Sequence, residues 1–142
     1  MPMLLLQAGA AYASAIRSAL VAAGYGDMPK NGAFVIGALA VRGRACPLGQ
    51  LIDELRLSKQ ATGQLADALV AGGHLEREVD PDDRRRLVVG LTDRGRAAAK
   101  VIAAARRSVD AKLLACAGPA DVERTRRTLF LLGTLEGHNE HQ

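Results

Sequence analysis

Two short stretches of alternating residues flank the loop Asp80-Pro81-Asp82-Asp83-Arg84-Arg85-Arg86. In the first, Leu75, Arg77 and Val79 alternate with His74, Glu76 and Glu78; in the second, Leu87, Val89 and Leu91 alternate with Val88 and Gly90. A period of two is the side-chain period of a strand, so the pair predicts a hairpin with the arginines at its tip. Consecutive arginines have no use in a packed interior, because guanidinium groups are almost never buried unpaired. They suit phosphate and the minor groove, where an always-charged planar fork is favoured.

Helices surround this ribbon. From Leu4 to Ala23 the chain is rich in Ala and Leu, without internal Pro, and Gly24-Tyr25-Gly26-Asp27 closes the run with turn chemistry. Pro29 predicts the first residue of a second helix, which keeps helical spacing through Ala33, Ile36 and Ala40 until Arg42-Gly43-Arg44. After Pro47, the residues Leu48, Leu51, Ile52 and Leu55 mark a short one-faced helix. Ser58 is suited to cap the next, which runs to Ala71 and stops at Gly72-Gly73. Ala61, Thr62, Leu65, Ala68 and Leu69 fall on its inner side, and Gln60, Gly63, Gln64 and Asp67 on its outer side with Lys59 near the start. Two short helices joined by a tight turn form a helix-turn-helix, whose second helix is the one placed in a major groove. Thr92 then caps a long Ala-rich helix with the stripe Ala98, Ile102, Ala105, Val109 and Leu113, and Gly118-Pro119 separates it from a last helix.

The whole chain narrows the choice. Its 142 residues suit a single domain, with no room for a second catalytic one. Aromatic residues make up only 3% and Trp is absent, so core volume must come from Leu, Ala, Val and Ile, which favours packed helices over a sandwich. The net charge of +4 is mildly basic and points weakly to a polyanionic partner. No apolar run is expected to reach the roughly 18 residues of a membrane span. The start, Met1-Pro2-Met3-Leu4-Leu5-Leu6-Gln7, lacks the basic flank and cleavage site of a secretory signal, so a cytoplasmic location is expected. The expected fold class is mainly α with a small β-hairpin wing.

The order of elements and the run Asp80-Pro81-Asp82-Asp83-Arg84-Arg85-Arg86-Leu87-Val88-Val89-Gly90-Leu91-Thr92-Asp93-Arg94-Gly95-Arg96 resemble the MarR family of bacterial transcriptional regulators. Leu57-Ser58-Lys59-Gln60-Ala61 is similar to the opening of that family's recognition helix, and Leu91-Thr92-Asp93-Arg94-Gly95 to the start of its long helix. The element order covers nearly the full chain, and the motifs cover residues 48 to 96. The resemblance implies one MarR-like domain over residues 1–142. A winged helix-turn-helix lobe would occupy residues 28–92, and dimerisation helices residues 1–24 and 93–142. It implies a homodimer presenting two winged helices to a pseudo-palindromic operator in double-stranded DNA.

Arg85 matches the wing-tip arginine that family members place in the minor groove, with Arg84 and Arg86 available to phosphates and Asp83 bracing Arg85. As an isolated stretch, Asp-Pro-Asp-Asp is also good sequence for a solvated turn. In the recognition helix, Ser58, Lys59, Gln60 and Gln64 are the candidates for groove contacts, since Gln bonds adenine bidentately. Gly63 and Gln64 depart from the family's more frequent Thr and Arg. A glycine there is either a close approach to DNA or a tolerated defect. Asp67 on the same face would repel phosphates and is expected to pair with an arginine.

Many family members release DNA when a small aromatic or phenolic ligand binds between the dimer helices and the DNA-reading lobe. Tyr12, Ile16 and Phe34 are the residues expected to line such a cleft, although an aromatic in an aromatic-poor helical protein is more often core. Cys46 lies close in sequence to Arg42 and Arg44, which favours a reactive thiol. The family's sensing cysteines usually belong to the first helix, which has none, so a structural role is the preferred reading of Cys46 and Cys116. His74, His138 and His141 do not assemble a metal-ligand spacing, and neither a metal nor a cofactor is expected. The leading reading is a repressor released by a small, phenolic effector. The alternatives are an interaction module for a protein or RNA partner and a thiol-based oxidant sensor. An enzyme would need a nucleophile with its base, a metal cluster or a phosphate loop, and the sequence offers none of these patterns.

Overall fold

A computed structural model describes residues 1–55 and 57–135. Its helices are α1 (Pro2–Ala22), α2 (Gly32–Arg42), α3 (Leu48–Leu55), α4 (Lys59–Ala71), α5 (Asp93–Ala117) and α6 (Pro119–Thr134). Its strands are β1 (Cys46–Pro47), β2 (Leu75–Val79) and β3 (Leu87–Leu91). The chain is mainly α with a small antiparallel sheet, as its composition and its one hairpin predict. It divides into two compact units, Met1–Arg106 and Arg107–Gln142.

In the first unit, β2 and β3 pair from Leu75↔Leu91 to Val79↔Leu87. The sheet has a third strand that alternation does not reveal: β1 pairs with β3 through Cys46↔Val89 and Pro47↔Val88, giving the order β1-β3-β2. Two residues, one a proline, are too short to show a period, and Pro is tolerated because this is an edge. The sheet's inner side meets Ile36, Leu39, Leu51, Leu69 and Ile102, each at most 2% exposed, and these helices clamp it. Burial of that much aliphatic surface is what holds the hairpin base in place, at roughly 25 cal/mol per Å2 removed from water.

Several local expectations shift. α2 begins at Gly32 rather than at Pro29, because Asn31 adopts a left-handed conformation, φ 66°, and turns the chain after Pro29. A Cβ on Gly32 would lie 2.9 Å from Met28 Sδ and 3.2 Å from Leu69 Cδ2, so the helix starts where α4 presses against it. Only Leu75 is buried in β2, and Arg77 and Val79 are exposed, so beyond its first residue the strand is not two-faced. The stripe of α5 is buried at Ala98, Ile102 and Ala105, half-buried at Val109 and exposed at Leu113.

α1 overturns the expectation that no segment approaches a membrane span. An 18-residue window within its 21 residues reaches a mean hydropathy of 1.3, long and apolar enough to cross a bilayer by length and composition alone. Gln7, Ser14, Arg17 and Ser18 interrupt the apolar run but do not lower its average enough. Ile16 and Leu20 are its buried residues, while Met3, Leu4 and Leu6 are exposed.

The second unit joins the end of α5 to α6 through Gly118, whose φ of 81° suits glycine, with Pro119 opening α6. Asp121 sits in the first turn of α6, where the helix dipole favours an acid, and meets Arg124 Nη1 at 3.2 Å. No residue of α6 is buried, and Phe130, Leu131 and Leu135 are exposed.

Candidate nucleic-acid interface

The expected recognition helix, α4, is fixed at its start and along one face. Ser58 is in extended conformation and its Oγ accepts from the Ala61 N–H at 3.0 Å, the N-cap expected from its type. Thr62 Oγ1, fully buried, donates to the Ser58 carbonyl at 3.0 Å, so the hydroxyl costs little to bury. Thr62, Leu65, Ala66 and Leu69 form the buried face. Ala66 takes the inner place expected of Ala68, which is exposed. Lys59, Gln60, Gln64 and Asp67 face solvent, with Gly63 half-exposed among them. Asp67 pairs with Arg77 of β2, the arginine partner its position calls for. This pair removes a charge that would repel phosphate and ties the outer face of α4 to the root of the ribbon.

The loop between β2 and β3 closes on a carboxylate. Asp80 is buried, and its Oδ1 accepts from the Asp82 N–H at 2.9 Å. Its Oδ2 takes both Arg86 Nε at 3.1 Å and Arg86 Nη2 at 3.0 Å. Backbone bonds from Asp80 N–H to the Arg86 carbonyl and from Arg86 N–H to the Asp83 carbonyl, each 3.0 Å, complete the ring. The Asp82 N–H, and then the Arg86 guanidinium, hold the Asp80 carboxyl below its ordinary range. Asp83 braces Arg85 through the backbone, its Oδ1 accepting from the Arg85 N–H at 3.0 Å. Arg84 and Arg85 are exposed and have no ion-pair partner among the described residues. Thus the three arginines divide: Arg86 spends most of its fork on closing the loop, while Arg84 and Arg85 project from it.

At the junction with α5, Thr92 serves two elements at once. Its Oγ1 accepts from the Gly95 N–H at 3.0 Å and donates to the Gly73 carbonyl at 2.5 Å, and its N–H bonds the His74 carbonyl at 3.1 Å. Gly95 is obligatory, since a Cβ there would lie 2.1 Å from the His74 carbonyl oxygen. His74 is buried, with neither ring nitrogen hydrogen-bonded among the described residues. Burial, then the nearby Arg94 charge, lowers its pKa from 6.5, against a smaller raising effect of Asp27. The Tyr25 ring lies 5.8 Å from the His74 ring, and Arg94 stacks over Tyr25 at 4.9 Å. Neither this cluster nor the bracing roles of Asp80 and Arg77 is evident from sequence. The only signal for the loop clamp is an acid and an arginine at its two ends.

The other candidates separate. Ile16 belongs to the core, Tyr12 is half-buried and Phe34 is exposed. A cavity of about 440 Å3 lies elsewhere in the first unit, between the end of α2, the sheet and α5, and none of these three residues lines it. Cys46 is buried in β1 with Arg42 Nη1 at 3.3 Å from its Sγ, and Cys116 is exposed on α5. His138 and His141 lie outside the described residues, among which no cluster of three or more His, Cys, Asp or Glu could hold a metal.

Set against known proteins, residues 27–86 match the sequence model of the MarR family. No curated protein matches the chain. Among solved structures, a probable transcriptional regulator from Pseudomonas aeruginosa is 27% identical with a TM-score of 0.71, over 93% of this chain and 96% of that one. A MarR-family transcriptional regulator from Silicibacter pomeroyi is 22% identical with a TM-score of 0.73, over 94% and 87%. A mutant of MepR from S. aureus, bound to an oligodeoxyribonucleotide, is 17% identical with a TM-score of 0.62, over 94% and 96%.

Proposed function

We propose that this chain, whose residues 27–86 match the MarR family model, is a sequence-specific regulator of transcription, acting as a homodimeric repressor that a small effector releases from DNA. The observation that carries the reading is the division of the loop arginines. Asp80 and Arg86 close the loop, leaving Arg84 and Arg85 exposed at the end of a ribbon whose β2 strand is tied to α4 by the Arg77–Asp67 pair. Preorganised guanidinium groups lose less freedom on meeting a phosphate or a minor groove than a flexible tail would. Lys59, Gln60 and Gln64 on α4 supply register and base contacts, and the Asp67–Arg77 pair keeps the one acid of that face neutralised. Oligodeoxyribonucleotide binding by the MepR relative supports the same use of the fold. The apolar residues exposed on α1 and on α6 support a homodimer, since monomers rarely leave such surface uncovered. The division of the chain into a reading lobe at 28–92 and dimerisation helices at 1–24 and 93–142 follows from that reading, as does a cytoplasmic location without catalytic activity.

The test is selection of duplexes from a random pool, followed by anisotropy titration of the selected duplex against scrambled competitor. A selected pseudo-palindrome, bound with an affinity that falls steeply with salt yet persists over competitor, supports the reading. Equal binding to every duplex, or preference for RNA, would remove sequence-specific regulation in favour of an interaction module.

A further inference from the structure

The cavity of about 440 Å3 is the size of a small-molecule site, and its walls carry opposite charges on different elements. Leu39, Ala40, Leu91, Ala99 and Ala103 give it an apolar body. Gly90 is buried and faces Glu76 across the ladder, so the absence of a side chain leaves the sheet surface bare there. A Cβ on Gly90 would crowd Ala45 Cβ at 3.2 Å. On one side, Glu76 and Glu78 project from the same face of β2 into the lining. The basic lining residues are Arg44, between α2 and β1, and Arg96 and Lys100 of α5. Arg96 is already committed, donating to the Leu91 carbonyl at 2.8 Å and pairing with Asp93. Arg44, Lys100, Glu76 and Glu78 are exposed and make no ion pair among the described residues.

An anionic ligand would meet two carboxylates, and a cationic one an arginine and a lysine. One molecule carrying both charges at the ends of an apolar body satisfies both walls. We infer that this cavity is a binding site for a small zwitterionic amphiphile, its ammonium held by Glu76 and Glu78 and its carboxylate by Lys100 and Arg44. Because the cavity is bounded by both wing strands and by α5, its occupant fixes the spacing between the ribbon and the long helix. That regulatory consequence rests on the DNA-binding reading above, whereas the binding itself does not.

The probe is 4-(aminomethyl)benzoate, compared with benzoate and benzylamine by calorimetry on the DNA-free full chain. The zwitterion is expected to bind more tightly than either single-charge analogue by on the order of tenfold, the worth of one charge-assisted contact. The E76Q/E78Q double variant should lose that advantage and turn toward benzoate, and Lys100→Gln should turn toward benzylamine. All three substituted sites are exposed, and circular dichroism checks that each variant is folded. Equal binding of benzoate and the zwitterion, preferences unmoved by these substitutions, or no heat from any of the three overturns the site. Anisotropy on the selected duplex, with and without probe, is a separate arm: a missing DNA complex defeats the regulatory reading while calorimetry still decides the cavity.

Discussion

Single side chains divide between those that hold the interface and those that would use it. Arg85 stands on a loop whose closure depends on Asp80 and Arg86, so its own removal should leave the fold intact. Arg85→Ala is expected to cost about 1 to 3 kcal/mol of duplex affinity with an unchanged melting temperature. An anisotropy titration that returns wild-type affinity sinks the wing assignment. His74 acts on stability instead. Burial and then Arg94 lower its folded pKa, so the unfolded chain takes up a proton near pH 6.5 that the folded chain resists. Stability due to the neutral imidazole is therefore complete above that pH and is lost progressively as the pH falls below it toward the depressed folded value. Denaturant melts across this window should show the midpoint falling with acidity, and His74→Leu should flatten that part of the profile. The flanking Asp27 opposes the effect but is the smaller influence. If the variant and the wild type fall in parallel between neutral pH and mild acid, His74 is not the group responsible.

At the level of elements, α4 poses a question that its sequence leaves open, namely what a glycine does in the middle of an outer helical face. A Cβ at Gly63 would meet nothing within 4 Å, so no neighbour in the folded chain requires glycine there. Gly63→Ala should then stabilise the fold by about 0.5 to 1 kcal/mol, through helix propensity and a less free unfolded chain. If the glycine admits the DNA backbone closely, the same variant binds its operator more weakly although it melts higher. Higher melting with unchanged affinity identifies it as a tolerated defect. The elements differ in how well the chain announces them. Ser58 caps through the Ala61 N–H, Gly73 acts at a turn, and Thr92 caps through the Gly95 N–H, so their residue types predict the limits of α4 and the start of α5, whereas the further bonds of Thr92 to Gly73 and His74 are not local. The pairing of Asp67 with an arginine was also legible, because an acid on the side of α4 expected to meet phosphates calls for a partner, although which arginine was not. β1 was not, because two residues have no period, and it exists only through its register with Val88 and Val89. The start of α2 was hidden for a similar reason: the left-handed Asn31 and the pressure of Leu69 on Gly32 are long-range facts. The Asp80–Arg86 clamp changes which arginine of the loop is available, and it depends on a loop closure that a list of residue types does not specify.

At the scale of the whole molecule, the two compact units share one property: each presents large apolar side chains to solvent. Met3, Leu4 and Leu6 of α1 are 63–66% exposed, and Phe130 of α6 is 73% exposed. By composition α1 could be covered by a bilayer, but α6 carries Arg124, Arg126 and Arg127 beside its apolar residues, which suits a protein partner better than a bilayer core. In the proposed homodimer a second copy of the chain would cover both kinds of surface and supply the two reading lobes that a pseudo-palindrome requires. Sedimentation without detergent should therefore return twice the mass of the 142-residue chain. Leu6→Glu and Phe130→Glu place a charge on surfaces that dimerisation would dry, and each is expected to shift sedimentation toward the monomer. Operator affinity should then fall roughly a hundredfold or more, because the second half-site is no longer engaged within the same complex. That loss would exceed the loss from Arg85→Ala although neither substituted residue belongs to the proposed DNA-contacting set. A monomer that kept full operator affinity would separate DNA reading from dimerisation and leave the apolar face of α1 to a different partner.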